Sequence, residues 1–446
     1  MDKKILLRTK SLCPECLKRI SAQYVEEDGL VWMEKACQEH GPFRTLAWSD
    51  AEGYVSWMEQ SVHAAKTENT EPVGKGCPFD CGLCADHEGK TCTAVLEITY
   101  RCNMNCAICF ADTAKHQYEP DLAKIRKMYE AAYRFGGGCS IQLSGGEPTM
   151  REDIFDILRM GKEMHFSHIQ VNTNGIRLAQ ETGYAARLKE AGADLIYLQF
   201  DSLRDEVYRI TRGRDMADIK LRAIENCAEA GIGVMLVPVM VKGVNDTEIG
   251  DIVQFAKVHM PTVKGIHFQP VSYFGRYPDR DGRKVWGHMN LADVMRELEL
   301  QTGGELRRAN MVPRKKYDAH CAFSSAYFLD EEGILRAITK NGQNESVPVT
   351  TDFSAKTNAF TNKFWRQPQE KKDPAARRQD MRSFMKRLRD YTLSISGMGF
   401  QDAYNIDLGR LKGCCVQIIT DDEKAVPLCA FHLTSASGKR LYGNGE

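Results

Sequence analysis

The sequence carries no excess charge of either sign, since sixty Lys and Arg balance sixty Asp and Glu. A chain without a global field has no electrostatic footprint for nucleic acid or an acidic membrane, so any partner has to be recognised locally. Long apolar runs are missing too. The most apolar stretch, GIGVMLVPVMV at 231–241, falls well short of the roughly 20 residues a membrane helix needs and reads as a buried strand. The opening MDKKILLRTKSLCPEC holds an apolar run too short for a secretory signal. These absences point to a cytoplasmic protein with no transmembrane segment and no nucleic-acid partner.

Cysteine, by contrast, is abundant: 16 in 446 residues. The tight CxxC-type spacings favour metal thiolates in a reducing compartment over disulfides. At roughly 100–200 residues per domain, the chain holds two or three domains and can bury a sizeable core.

From residue 94 onward a repeating rhythm sets in. Short β-rich runs (AVLEIT 94–99, SIQLS 140–144, HIQVNT 168–173, DLIYLQF 194–200, IGVMLVPV 232–239 and GIHFQP 265–270) alternate with helical patterns such as REDIFDILRMGKEM. Strands separated by helices specify a parallel sheet with right-handed crossovers, here an α/β partial (β/α)6 barrel. Such sheets place chemistry at the C-terminal ends of their strands. CNMNCAIC (102–109) follows the first strand, SGGEPT ends the second and NTNG the third; Gln199 and Asp201 bracket the end of the fourth, and Gln269 ends the sixth. Unusual polar, glycine and cysteine residues thus converge on one rim.

The expected domains are an N-terminal Cys/His metal ribbon (1–63), a linker and cysteine loop (64–93), the partial barrel (94–300) and a C-terminal α+β domain (301–446). In the first, Cys13, Cys16, Cys37 and His40 form a pair of knuckles suited to structural zinc, with a rubredoxin-like mononuclear iron as the alternative. In the last, Cys414, Cys415 and Cys429, with Cys321 as a fourth, suggest a cluster site. Adjacent cysteines on a strand point to opposite faces, so one of Cys414 and Cys415 is a candidate spectator. Lone Cys139 and Cys227 read as buried thiols. The stretch 363–390 has ten Lys or Arg against four Asp or Glu, with Met381, Phe384, Met385 and Leu388 at helical spacing. It reads as a solvated helix, or as a basic amphipathic one making peripheral contact with phospholipid headgroups.

Three cysteines at x3 and x2 spacing reach three corners of a cubane cluster and leave the fourth iron open. Together with SGGEPT and NTNG, CNMNCAIC resembles the radical S-adenosylmethionine (SAM) superfamily over residues 94–270. The resemblance implies that Cys102, Cys106 and Cys109 hold a [4Fe-4S] cluster whose open iron is chelated by SAM, and that an electron from the cluster cleaves SAM to a 5′-deoxyadenosyl radical. Gly145, Gly146 and Glu147 would meet the SAM amino group, and Asn172 and Asn174 its ribose and carboxylate. The aromatic many members carry just before the last cysteine is here Ile108, and Phe110 follows instead.

The second loop, CPFDCGLC (77–84), is followed by another cysteine, so Cys77, Cys81, Cys84 and Cys92 would fill all four corners of an auxiliary cluster and close it to SAM; zinc is the competing metal. SLCPECLKRISA, KACQEHGPF, GCPFDCGLCADH, SGMGFQDAYNIDLGRLKGCCV and PLCAF extend the resemblance across nearly the whole chain. They are similar to the archaeal tetraether lipid synthase subgroup, whose relatives also go by the name of pterin-precursor methyltransferases. That implies coupling of two unactivated sp3 carbons at lipid chain ends, with two SAM consumed per bond, one or two auxiliary clusters and an external electron donor. C-methylation of a pterin or similar small molecule is the alternative, and a non-catalytic iron–sulfur electron carrier or sensor the third reading.

Overall fold

The computed structural model describes residues 3–60, 73–82, 84–112, 118–277, 289–314, 318–339, 386–388 and 390–442. The basic stretch 363–390 lies almost entirely outside the described residues.

Strands β1 (Lys4–Leu12), β2 (Arg19–Glu27), β3 (Leu30–Cys37) and β4 (Gly41–Trp48) form a four-stranded antiparallel sheet, followed by helix α1 (Ala51–Met58). This N-terminal unit docks through polar as well as apolar contacts. Ser11 donates to Ile406 O, the buried Lys35 to Ser11 Oγ and Ala403 O, and Trp57 Nε1 to Ala319 O.

All six sequence-predicted strands are present: β5 (Thr93–Thr99), β6 (Ser140–Gly145), β7 (Ile169–Thr173), β8 (Leu195–Gln199), β9 (Gly233–Val237) with the short β10 (Val239–Met240), and β11 (Val263–Pro270). Between and after them run α2 (Leu122–Gly136), α3 (Ile154–Glu163), α4 (Ile176–Gln180), α5 (Tyr184–Ala191), α6 (Asp205–Arg212), α7 (Ala217–Ala230), α8 (Ile249–Val258) and α9 (Leu291–Gln301). Helix α2 shows why these segments are helical. Asp121 caps its first turn by accepting from Lys124 N, and Ile125, Met128, Tyr129 and Ala132 form a buried stripe.

The rest of the chain contributes β12 (Val312–Pro313), β13 (Ala322–Leu329), β14 (Leu335–Ala337), β15 (Thr392–Met398), α10 (Leu408–Lys412), β16 (Val416–Ile419), β17 (Ala425–Pro427) and α11 (Leu428–Phe431). The segment expected as a separate C-terminal domain shares its sheet with the barrel. β15 pairs parallel with β11 at one edge and β16 parallel with β5 at the other. The sequence periodicity could not reveal this, because edge strands as short as β16 are specified by the neighbour that covers them. Successive parallel strands therefore run β16-β5-β6-β7-β8-β9-β11-β15. Among the described residues β15 and β16 do not pair, so the sheet stays open. An apolar cluster including Val95, Phe274, Met398, Ile418 and Phe431 packs the 398–433 segment into that opening.

Strand alternation separates two faces. Ala94, Leu96, Ile98, Ile141, Leu143, Ile169, Val171, Ile196, Leu198, Ile266 and Phe268 pack with the helices in one core. Their neighbours of opposite parity form the inner face, which joins polar side chains (Glu97, Gln142, Gln170, Asn172, Gln199, His267, Gln269 and Ser396) to an apolar cluster of Leu195, Met235 and Val237 against Tyr197.

Candidate functional site

The loop 100–112 leaves the end of β5 and is clamped on three sides. On the first, Gly146 N donates to Thr99 O (2.7 Å) and Glu147 N to Arg101 O (2.8 Å), fastening the SGGE turn to the start of the loop. A Cβ on Gly145, whose φ is +119°, would sit 2.2 Å from Thr99 O, and one on Gly146 would sit 2.3 Å from Arg101 O. The two glycines are therefore demanded by the approach of one backbone to another. On the second side, Cys109 and Arg276 exchange backbone hydrogen bonds (2.8 and 3.0 Å). On the third, Arg212 Nη1 donates to Ile108 O (3.1 Å).

Several of the residues expected to meet the ligand also have partners within the protein. Glu147 is 2% exposed, and its carboxylate accepts from Thr149 Oγ1 (2.6 Å), Thr173 Oγ1 (2.7 Å) and Asn174 N (2.7 Å), tying the ends of β6 and β7 together. Asp201 is fully buried and grips Arg212 through both oxygens (2.6 and 3.0 Å) while accepting from Val239 N. Burial opposes its ionisation, but the Arg212 charge prevails and its carboxyl is held below the usual range. A buried carboxylate in this arrangement braces the cysteine loop through its arginine. Asn174 Nδ2 donates to Asn103 Oδ1 (2.8 Å), a further tie to the loop. Asn172 and Gln269, half-buried on the inner face, keep side chains at the rim. Phe110 rests edge-on against His432, with centroids 4.9 Å apart.

The cysteines themselves stand as follows. Burial pushes the Cys102 thiol up to about 12, and Glu147, Cys106 and Cys109 act in the same direction. Burial also raises Cys109, against the opposing charges of Arg276 and Arg212.

Sequence reasoning missed Arg212, Arg276 and Lys220. Lys220, on α7, is fully buried; its ammonium donates to Asn174 O (2.6 Å) and Gln199 Oε1 (2.8 Å), bridging the ends of β7 and β8. Burial lowers it to about 7. A signal was present, for Lys220 occupies the same stripe as the buried Ala223, Ile224 and Cys227, where an apolar residue belongs.

Three further thiol groups lie apart from the loop. Cys77, Cys81 and Cys84 line a common cavity. Cys414 is raised by burial and then by the charges of Cys429, Cys321 and Cys92. Cys429 Sγ accepts from Gln401 N, and Cys321 Sγ from Arg410 Nη2, both at 3.3 Å. Cys92, at the start of β5, is tied to the same edge through its backbone, its N–H donating to Cys415 O (2.9 Å). In the N-terminal sheet, Cys13, Cys16, Cys37 and His40 bring their donor atoms within 4.8 Å of one another. Cys16 Sγ lies 4.0 Å from Cys37 Sγ, and His40 Nδ1 lies 3.7 and 3.5 Å from Cys13 and Cys37. With Zn–S about 2.3 Å and Zn–N about 2.0 Å, tetrahedral corners fall roughly 3.5–3.8 Å apart, so the set fits one ion.

Residues 96–256 match the Radical SAM superfamily, and residues 5–49 match the HMPTM N-terminal zinc ribbon domain. The chain is 35% identical to a Methanocaldococcus jannaschii protein named 7,8-dihydro-6-hydroxymethylpterin dimethyltransferase, over 95% of this chain and 93% of that one. It is 32% identical to a probable GTP 3′,8-cyclase of Methanothermobacter thermautotrophicus, over 52% of this chain and 74% of that one. Among solved structures, Streptococcus suis SuiB bound to S-adenosylmethionine matches with a TM-score of 0.40 and 20% identity, over 48% of this chain and 47% of that one. The chain is a radical SAM enzyme, belonging to the same full-length family as the Methanocaldococcus jannaschii relative and sharing the zinc ribbon at its N-terminus.

Proposed function

We propose that this enzyme forms a carbon–carbon bond at a carbon from which a hydrogen atom has been abstracted, on a small polar molecule such as a pterin. The reacting part of that molecule enters against the inner face of the sheet. A [4Fe-4S] cluster on Cys102, Cys106 and Cys109 with SAM would supply the 5′-deoxyadenosyl radical. The donor set fits them: three thiols on one clamped loop, with half-buried amides of Asn172 and Gln269 at the adjoining strand ends.

The polarity of the inner face carries the reading. An acyl chain laid against the half-buried Gln142 and Asn172 would strip water from their amides and return no hydrogen bond, at about 1–3 kcal/mol for each. Each buried methylene gives back only about 0.8 kcal/mol. A heterocycle with ring nitrogens and carbonyls satisfies the same amides. The neutral His267, pushed down to about 3 by burial and then by the Arg314 charge, bonds to Ser396 Oγ (2.8 Å) and offers a fixed polar wall. Hydrogen-atom abstraction needs no acid or base, so these residues orient the substrate and keep water from the reacting carbon. The name of the full-length relative accords with this.

Coupling of lipid chain ends is the second reading, favoured by the similarity of the whole cysteine framework to the tetraether synthase subgroup. Mass spectrometry of products separates the two. Reduced, reconstituted enzyme given SAM both as radical source and, in a second molecule, as methyl donor, with the external reductant supplying the electrons, should add methylene mass units to a dihydropterin and leave extracted lipids unchanged. Coupled or dehydrogenated lipid chains with an untouched pterin would reverse the assignment.

A further inference from the structure

The segment 433–441 touches two metal-binding regions at once. It folds back as a tight turn: Thr434 and Arg440 pair across its base, Ser435 N donates to Lys439 O (2.8 Å), Lys439 N to Ser435 Oγ (2.9 Å) and Leu441 N to Leu433 O (2.9 Å). At the base, Arg440 Nη2 donates to Ala111 O, two residues past Cys109, and Thr434 Oγ1 accepts from Gly275 N (3.0 Å). Gly275 adjoins Arg276, the backbone partner of Cys109, and a Cβ on it would lie 2.7 Å from Cys109 O. One turn therefore holds both the exit of the cysteine loop and the segment paired with it. At the tip, Ala436 N donates to Pro14 O (2.9 Å), between Cys13 and Cys16 in the first N-terminal knuckle. That knuckle closes through Leu17, whose φ of +56° is a left-handed conformation unfavourable to leucine, and whose N–H donates to Cys13 O (3.0 Å). An ion that pins Cys13 and Cys16 offsets the cost of that conformation.

We propose that Arg440 is a positioning residue for the loop that binds SAM, and that the 434–440 turn is seated for this task on the metal-filled N-terminal knuckle. A turn closed by its own hydrogen bonds carries a shift at its tip to its base instead of absorbing it. Emptying the ribbon releases the knuckle, moves Pro14 O, and turns Arg440 away from Ala111 O. The ribbon metal thus helps to hold the radical-forming loop closed, beyond stabilising its own sheet. The inference rests on loop 100–112 holding the SAM-bound cluster and is the same whichever substrate reacts.

The test uses the full-length protein, reconstituted anaerobically with iron and sulfide. In Arg440→Met, hydrogen–deuterium exchange of 100–112 should quicken, and KM for SAM in 5′-deoxyadenosine formation should rise about tenfold, the worth of one charge-assisted hydrogen bond, with a smaller change in kcat. Arg440→Lys, which keeps a charged donor, should restore part of both. His40→Ala, at the exposed ligand of the ribbon, leaves three thiols whose occupancy follows added zinc. Exchange of both 430–442 and 100–112 should slow as zinc is added to this variant, and the response of 100–112 should be lost when Arg440→Met is combined with it. Unaltered exchange and KM in Arg440→Met overturn the positioning role. A zinc response confined to 4–48 overturns the link through the turn. Faster exchange across β6–β8 as well would also overturn the proposal, since it reports a loss of fold and not of position.

Discussion

Gly145, Arg212 and Lys220 each hold the site in a way that a single substitution can expose. Gly145→Ala drives a Cβ into Thr99 O at a backbone angle that favours glycine, so the start of the cysteine loop has to move. The variant should bind less iron at Cys102, Cys106 and Cys109 and lose SAM cleavage, whereas Gly138→Ala, with nothing within 4 Å, should behave as the parent. Removing Arg212 strands the buried Asp201 carboxylate. Arg212→Met should cost about 3–5 kcal/mol in urea unfolding, more than a surface ion pair such as Arg209–Asp215 at about 0–1 kcal/mol. Lys220 couples the rim to pH. Burial lowers it from 10.5 to about 7, so between those values the unfolded chain holds a proton that the folded chain has released. Stability should therefore rise with pH through that window, and the rise should shrink in Lys220→Met, with the similarly lowered Lys35 supplying the remainder; the variant also leaves Asn174 O and Gln199 Oε1 unpaired at about 1–3 kcal/mol each. Denaturant midpoints followed across the window check both.

At the scale of elements, strand and helix positions from β5 to β11 were legible because the period changes from 2 to 3.6 at each boundary. The loops at their ends were legible because cysteine, glycine and asparagine are out of place in a core. The protein partners of Glu147 and Asp201 were not, since hydrogen bonds between distant strands and loops have no local signature. Nor was the joining of β15 and β16 to the two edges, a long-range pairing with no local signature. The N-terminal unit was legible from its knuckles, and its docking yields a prediction. Trp57 reaches Ala319 O from α1, and Tyr54 meets His320 at 2.8 Å. Metal removal by a chelator should loosen β1–β4, expose Trp48 and Trp57, and red-shift tryptophan emission without dissolving the parallel sheet. Retained emission after verified metal loss would show that packing alone holds the unit.

Across the whole molecule, the parallel sheet supplies a rigid rim, its helices bury the outer face, and the chain beyond residue 390 fills the opening between the two edges with apolar side chains and thiols. No described helix is long and apolar enough to cross a membrane. Everything functional depends on whether the clamped loop presents a metal centre with room for SAM. The most direct test is anaerobic spectroscopy of the reduced, reconstituted protein, with and without SAM, in the parent and in Cys106→Ala. SAM should perturb one cluster signal and give 5′-deoxyadenosine in the parent, and do neither in the variant, which keeps the iron of its other sites. An unchanged signal in the parent, or undiminished 5′-deoxyadenosine from Cys106→Ala, would contradict the assignment of that loop.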